Sequence, residues 1–169
     1  SDIYVTGNLG DSALGFKLTK NFSAFSCSTK NKNELIKSFQ LPEPRLNIGR
    51  KILNKSDFCT DISDGLIREL LLIANQSKLQ ANIFLDRIPI SLPTHEIIKK
   101  NKKKDIWELI LSGGEDYELL FSVDQNKKKQ VTKLKNISNV GFFSKGSGLK
   151  IFDEEGDEFL IKKSGFSHF

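Results

Sequence analysis

Two cysteines, Cys27 and Cys59, lie far apart in the chain and form no CxxC pair, which leaves neither a disulfide framework nor a thiolate metal site to read. A reducing, cytoplasmic setting is the natural expectation. Long apolar runs are missing as well. The longest, "LLLIA" at residues 70–74, is far too short to span a bilayer. The opening "SDIYVTG" has neither the basic nor the apolar region of a signal peptide. No internal repeat and no long linker interrupts the chain. There is no GK[ST] to make a Walker loop, and no GxGxxG to mark a dinucleotide fold.

What is present describes an ordinary globular domain. The 169 residues suffice for one domain with its own core, and 38% apolar with 28% charged residues is an everyday composition. The net charge of +5 gathers in "KKNKKKD" (99–105) and "NKKKQVTKLKN" (126–136). A nucleic-acid or anionic-membrane patch is one interpretation. Aromatic residues do not interleave with these lysines as a single-strand platform requires. Solvated helix faces are the better account, with no nucleic-acid or membrane partner expected.

Periodicity places a strand near residues 3–6, a glycine-rich turn, and a helix over "SALGFKLTK" that Asp11 or Ser12 is positioned to cap. "NELIKSF" reads as one or two helical turns. The prolines of "LPEPRLNIGRKIL" force extended backbone before a helix from about residue 46 to 53. "SDFCTDIS" reads as a short buried strand, and "DGLIRELLLIANQS" carries a 3.6-residue apolar stripe. "QANIFLDRIPI" is a strand ended by Pro89. The lysine-rich stretch and "DIWELIL" are helical, and residues 117–123 form a strand. "NVGFF", "GLKIF" and "EFLIK" complete the set, the last two as a hairpin across "DEEGD". Strands and helices intermix without βαβ alternation. The predicted fold class is therefore α/β in the α+β sense: a mixed, largely antiparallel sheet covered by helices.

Chemistry concentrates in "CTDISDGL" (59–66). Asp61 and Asp64 flank Ser63 where a strand becomes a helix, with Gly65 directly behind. A helix N-terminus presents free amides and a positive dipole end, which suits phosphate oxygens. Mg²⁺ would let carboxylates share that place, since it bridges acid and phosphate oxygens. In this interpretation Ser63 donates its hydroxyl to a phosphate oxygen or lies just outside the metal. Simple capping by Ser63 or Asp64 is the alternative, and it leaves Asp61 without a role. "SGGEDYELLF" repeats the arrangement, with Glu115 and Asp116 after two glycines. It reads either as a site for a cation or cationic ligand or as a polar turn. "TGNLGDSALG" (6–15) is best taken as a tight turn entering a helix.

Taken in order, "YVTGNLGDSALG", "LPEPRLNIG", "TDISDGL", "LSGGEDYELLF" and the terminal "GFSHF" resemble the C-terminal half of the thiamine-monophosphate kinase family. Its wider superfamily includes aminoimidazole ribonucleotide synthetase, selenophosphate synthetase and a hydrogenase-maturation protein. The resemblance runs the whole length of the chain. It implies ATP-dependent, Mg²⁺-dependent phosphorylation of thiamine monophosphate to thiamine diphosphate by direct in-line transfer. By position it makes Asp61 and Asp64 metal ligands, Ser63 a nucleotide contact, and Glu115 and Phe166 substrate contacts. Phe166 stands where the family places an aromatic residue, often Trp or Tyr. A selenophosphate synthetase would rely on a reactive cysteine, or on a glycine-rich segment, that is not visible here. The resemblance further implies that the family's N-terminal half, with other aspartates and the homodimer interface, is absent from this chain. A single C-terminal domain, inactive by itself, is the expectation.

Overall fold

The computed structural model describes residues 1–161. Six strands form one mixed sheet, flanked by seven helices among the described residues. In chain order these are β1 (Asp2–Thr6), α1 (Asp11–Lys20), α2 (Thr29–Gln40), α3 (Leu46–Ile52), β2 (Phe58–Asp61), α4 (Leu66–Ser77), β3 (Leu79–Phe84), α5 (Leu92–Lys100), α6 (Lys103–Ser112), β4 (Leu119–Val123), α7 (Lys128–Val131), β5 (Ile137–Lys145) and β6 (Gly148–Phe152). A 3₁₀ turn at Leu85–Arg87 follows β3.

The strand order is β2-β4-β1-β5-β3-β6. β3 and β6 pair in parallel, and every other neighbouring pair is antiparallel. The mixed, largely antiparallel sheet expected from the sequence is what forms. Central β1 is buried on both faces, because the sheet carries a core on each side. Ile3 and Val5 of β1, Leu120 of β4, Ile83 of β3 and Phe143 of β5 face α1, α2, α4, α5 and α6, and this is the larger core. Tyr4, Phe121 and Val123 face the other way and meet Ile52 of α3 and Val131 of α7. Tyr4 and Phe121 stack there with centroids 5.6 Å apart. The alternation of the two sets is the two-residue period of a strand.

Several local expectations change. The "SDFCTDIS" segment is an edge strand, not a buried one, with Cys59 and Asp61 exposed. α2 spans 12 residues, longer than one or two turns, because Ser28 caps it by accepting the Asn31 amide. α7 is a single turn of 4 residues. Among the described residues the terminal hairpin reduces to one bridge, Phe152 to Glu158, while the full ladder of β6 is its parallel pairing with β3. The lysine clusters are partly neutralised from nearby: Lys100 pairs with Glu96, Lys102 with Asp105, Lys103 with Glu154 and Lys128 with Asp2. Among the described residues no helix is long and apolar enough to cross a membrane.

Candidate active site

The β2–β4 ladder does not stop where the strands do. Asp61 pairs with Leu119, the Ile62 amide donates to the Glu118 carbonyl at 2.7 Å, and the Tyr117 amide donates to the Ile62 carbonyl at 3.0 Å. The Glu115 amide then donates to the Ser63 carbonyl at 2.8 Å. These bonds staple the "DISDG" loop to the "GGEDYE" loop, so two acidic turns far apart in sequence become one lip.

Two glycines make the approach possible. A Cβ on Gly114 would lie 2.2 Å from the Ser63 carbonyl oxygen, and one on Gly65 would lie 2.7 Å from that of Ser112. Gly65, at φ +100°, is the N-cap residue of α4. The cap position therefore falls on neither Ser63 nor Asp64. Ser63 and Asp64 are half-buried just ahead of the helix, and Asp61 is exposed at the strand end. Asp64 forms an ion pair with Arg68 one turn along α4, at 3.4 Å.

The lip is electrostatically negative, and its neighbours record it. Glu69, on the first turn of α4, has its carboxyl raised above the usual range by burial and then by Asp64 and Asp61, with Arg68 opposing. The Tyr117 phenol is raised first by its hydrogen bond to Glu115, with Asp61 and Asp64 adding to it. Burial and then Asp61 push the Cys59 thiol up. Among the described residues no three His, Cys, Asp or Glu side chains converge into a ready-made metal cage. Two carboxylates at an open helix start still fit Mg²⁺, which takes one or two protein carboxylates and fills its octahedron with water and substrate phosphate. Zinc-like closed coordination does not fit.

Glu115 and Tyr117 both have left-handed backbone, at φ +70° and +51°, and the side chains of this loop divide between two sides. Glu115 and Tyr117 share the lip, where the Tyr117 hydroxyl donates to Glu115 Oε2 at 3.0 Å. Asp116 and Glu118 point the other way, into a cleft of ≈ 720 Å³ lined also by Gly7, Ser12, Lys37 and Arg45. Asp116 accepts the amides of Gly10 at 2.9 Å and Ser12 at 3.4 Å, and so caps α1 from across the fold. The predicted caps do not act: the N-cap residue is Gly10, and Asp11 instead accepts the hydroxyls of Ser91 and Thr94 at 2.6 Å each. Burial outweighs the two amides and pushes the Asp116 carboxyl up to about 8. Glu118, only 4% exposed, is gripped by the Arg45 guanidinium through both oxygens, at 2.8 and 2.7 Å, and by the Thr6 hydroxyl at 2.6 Å.

Of the sequence-predicted site residues, Asp61, Ser63, Asp64 and Glu115 are thus brought together. Phe166 lies outside the described residues. Sequence reasoning missed the roles of Tyr117, Arg45 and Glu118. No local signal marked them, because left-handed backbone at Glu115 and Tyr117 sets which way these side chains point.

This fold and lip define a class. Residues 1–160 match the family model for the AIR synthase related protein, C-terminal domain, and the chain belongs to that family. Among the relatives it matches are thiamine-monophosphate kinases. The enzyme of Buchnera aphidicola subsp. Acyrthosiphon pisum is 37% identical over 177 residues, covering 99% of this chain and 52% of its own length. That of Escherichia coli O157:H7 is 33% identical over 175 residues, covering 99% of this chain and 52% of its own. A solved structure of AaThiL complexed with AMPPCP and TMP superposes with TM-score 0.81 at 27% identity, covering 99% of this chain and 51% of that one. The chain spans about half the length of the curated relatives it matches. The hydrogenase maturation protein HypE shares the fold, with TM-score 0.66 at 10% identity, covering 99% of this chain and 54% of its own.

Proposed function

We propose that this chain is the C-terminal half of a cytoplasmic kinase that transfers the γ-phosphoryl group of ATP to the phosphate of thiamine monophosphate, releasing ADP and thiamine diphosphate. The observation that carries it is the bond from the Glu115 amide to the Ser63 carbonyl, which joins Asp61, Ser63, Asp64 and Glu115 on one lip. Its support is a set of relatives named for this activity and a similar structure holding a nucleotide analogue together with TMP.

In this reading Asp61 and Asp64 hold Mg²⁺. Bound there, Mg²⁺ would supply neutralisation of phosphate charge. Ser63, ahead of the α4 N-terminus, donates its hydroxyl to a phosphate oxygen where the helix amides already favour negative charge. Glu115 faces the permanently cationic thiazolium, and Phe166 offers its ring to the same group. Transfer is direct and in line, with no phosphoenzyme. A second domain, of the length by which the relatives exceed this chain, supplies the remaining metal ligands and a homodimer interface.

The test is turnover of the two-domain enzyme with ATP, Mg²⁺ and thiamine monophosphate, followed by chromatography of thiamine phosphates. Thiamine diphosphate should form one-for-one with ADP, and chelation should stop it. ATP consumption without thiamine diphosphate would overturn the reading.

A further inference from the structure

The lip holds one side chain that neither metal nor nucleotide binding requires. Tyr117 belongs to neither core cluster, and its ring is partly open to solvent. Its backbone is nevertheless in the left-handed region at φ +51°, and Glu115 two residues before is there too, at φ +70°. Residues with a Cβ seldom adopt that region, and when the surroundings hold them there the strain gathers at working sites. Here the surroundings are the Ser63 and Ile62 carbonyls, which accept the Glu115 and Tyr117 amides. The two unusual dihedrals have one joint consequence. They put both side chains on the same side, with the phenol donating to Glu115 Oε2 at 3.0 Å.

We infer that Tyr117 is a positioning residue, whose phenol fixes the Glu115 carboxylate in the orientation that receives the positively charged ring of the substrate. This rests on the kinase reading above and adds the means by which the acid is held. A lone glutamate on an open loop has three rotatable bonds to order when a ligand arrives. A donor clamped to one oxygen removes that cost beforehand and leaves the other oxygen facing the ligand.

The experiment is a double-mutant cycle in the two-domain enzyme, reading KM for thiamine monophosphate with KM for ATP as internal control. Tyr117→Phe keeps the ring and deletes the donor. It should raise the thiamine monophosphate KM about fivefold, the worth of one such hydrogen bond, with kcat and the ATP KM within about twofold. In a Glu115→Ala background the same change should add nothing, because no side-chain acceptor is left for Tyr117 to hold. Additive effects, an equal rise in the ATP KM, or an unchanged KM in Tyr117→Phe would overturn the inference. A collapse of the melting temperature in Tyr117→Phe would make the phenol structural and overturn it too. Wild-type enzyme that makes no thiamine diphosphate would sink the kinase reading and this inference together. Turnover by the wild type with an unaffected Tyr117→Phe would sink this inference alone.

Discussion

The Asp116 carboxylate accepts the Gly10 amide at 2.9 Å across 106 residues of sequence, so the start of α1 is capped by the far loop of the active-site lip. The bond ties the placement of that loop to the start of that helix. The same burial pushes the Asp116 carboxyl up to about 8, from an ordinary carboxylate value near 4 in the unfolded chain. The sign follows. Between about pH 4 and 8 the folded protein holds a proton that the unfolded chain has released, so stability is greatest at the acid end and falls as pH rises through that window. Asp11 and Glu69, also raised, contribute in the same direction. Asp116→Asn should flatten the fall in urea midpoint between pH 5 and 8. A wild-type slope unchanged in the variant would show that Asp116 is ionised throughout.

The grip of Arg45 on Glu118 carries a second prediction. It ties the extended "LPEPR" segment to the base of β4, with Thr6 of β1 as the third member. Arg45→Met would leave an almost fully buried carboxylate with one hydroxyl partner. The expected loss is about 1.5–3 kcal/mol, the range for hydrogen bonds to charged groups, since water reaches the partly exposed arginine side. Adding Glu118→Gln should restore a good part of it, because the buried charge is then gone. Equilibrium unfolding in urea measures both.

These two contacts also show where the sequence stops being legible. β1, α4 and β4 were readable because each carries its own periodicity, and a helix or strand needs no distant partner to declare a buried face. The pairing of "DISDG" with "GGEDYE" was approachable because both are acidic, glycine-flanked turns at strand ends. The trans cap of α1 was not. Asp11 and Ser12 satisfy every local rule for a cap, and nothing nearby in the chain reveals that Asp116 takes the place. The terminal hairpin failed for the same kind of reason. "GLKIF" and "EFLIK" are close in sequence, yet β6 forms its full ladder with distant β3, and among the described residues one bridge joins it to the local partner.

For the proposed metal ligands the expectation is a loss of activity without a loss of fold. Asp61 is exposed at an edge strand, and Asp64 is half-buried beside the exposed Arg68, so neither lies in the core. Asp61→Asn and Asp64→Asn in the two-domain enzyme should each cut turnover by about two orders of magnitude or raise the Mg²⁺ requirement sharply, as loss of a charge-neutralising group does. Melting temperatures should stay within a few degrees, because an exposed ion pair of this kind is worth about 0.3–0.5 kcal/mol. Full activity of Asp64→Asn at limiting Mg²⁺ would remove it from the metal.

The last prediction concerns this chain by itself. It has a core on each face of its sheet, and both cysteines are free, so it should fold cooperatively when expressed alone. It should nevertheless make no thiamine diphosphate. Phosphoryl transfer depends on holding donor, acceptor and metal together in a site shielded from water. This lip presents Asp61 exposed to solvent, and among the described residues no third acidic or imidazole ligand converges with its carboxylates. In water each charge contact is screened to about 1 kcal/mol at 4 Å, far too little to order a triphosphate. Calorimetry on the isolated chain should therefore find only weak, Mg²⁺-dependent nucleotide binding. Adding the second domain as a separate polypeptide should restore measurable turnover. Brisk thiamine diphosphate formation by the chain alone would mean that the lip holds every group the reaction needs.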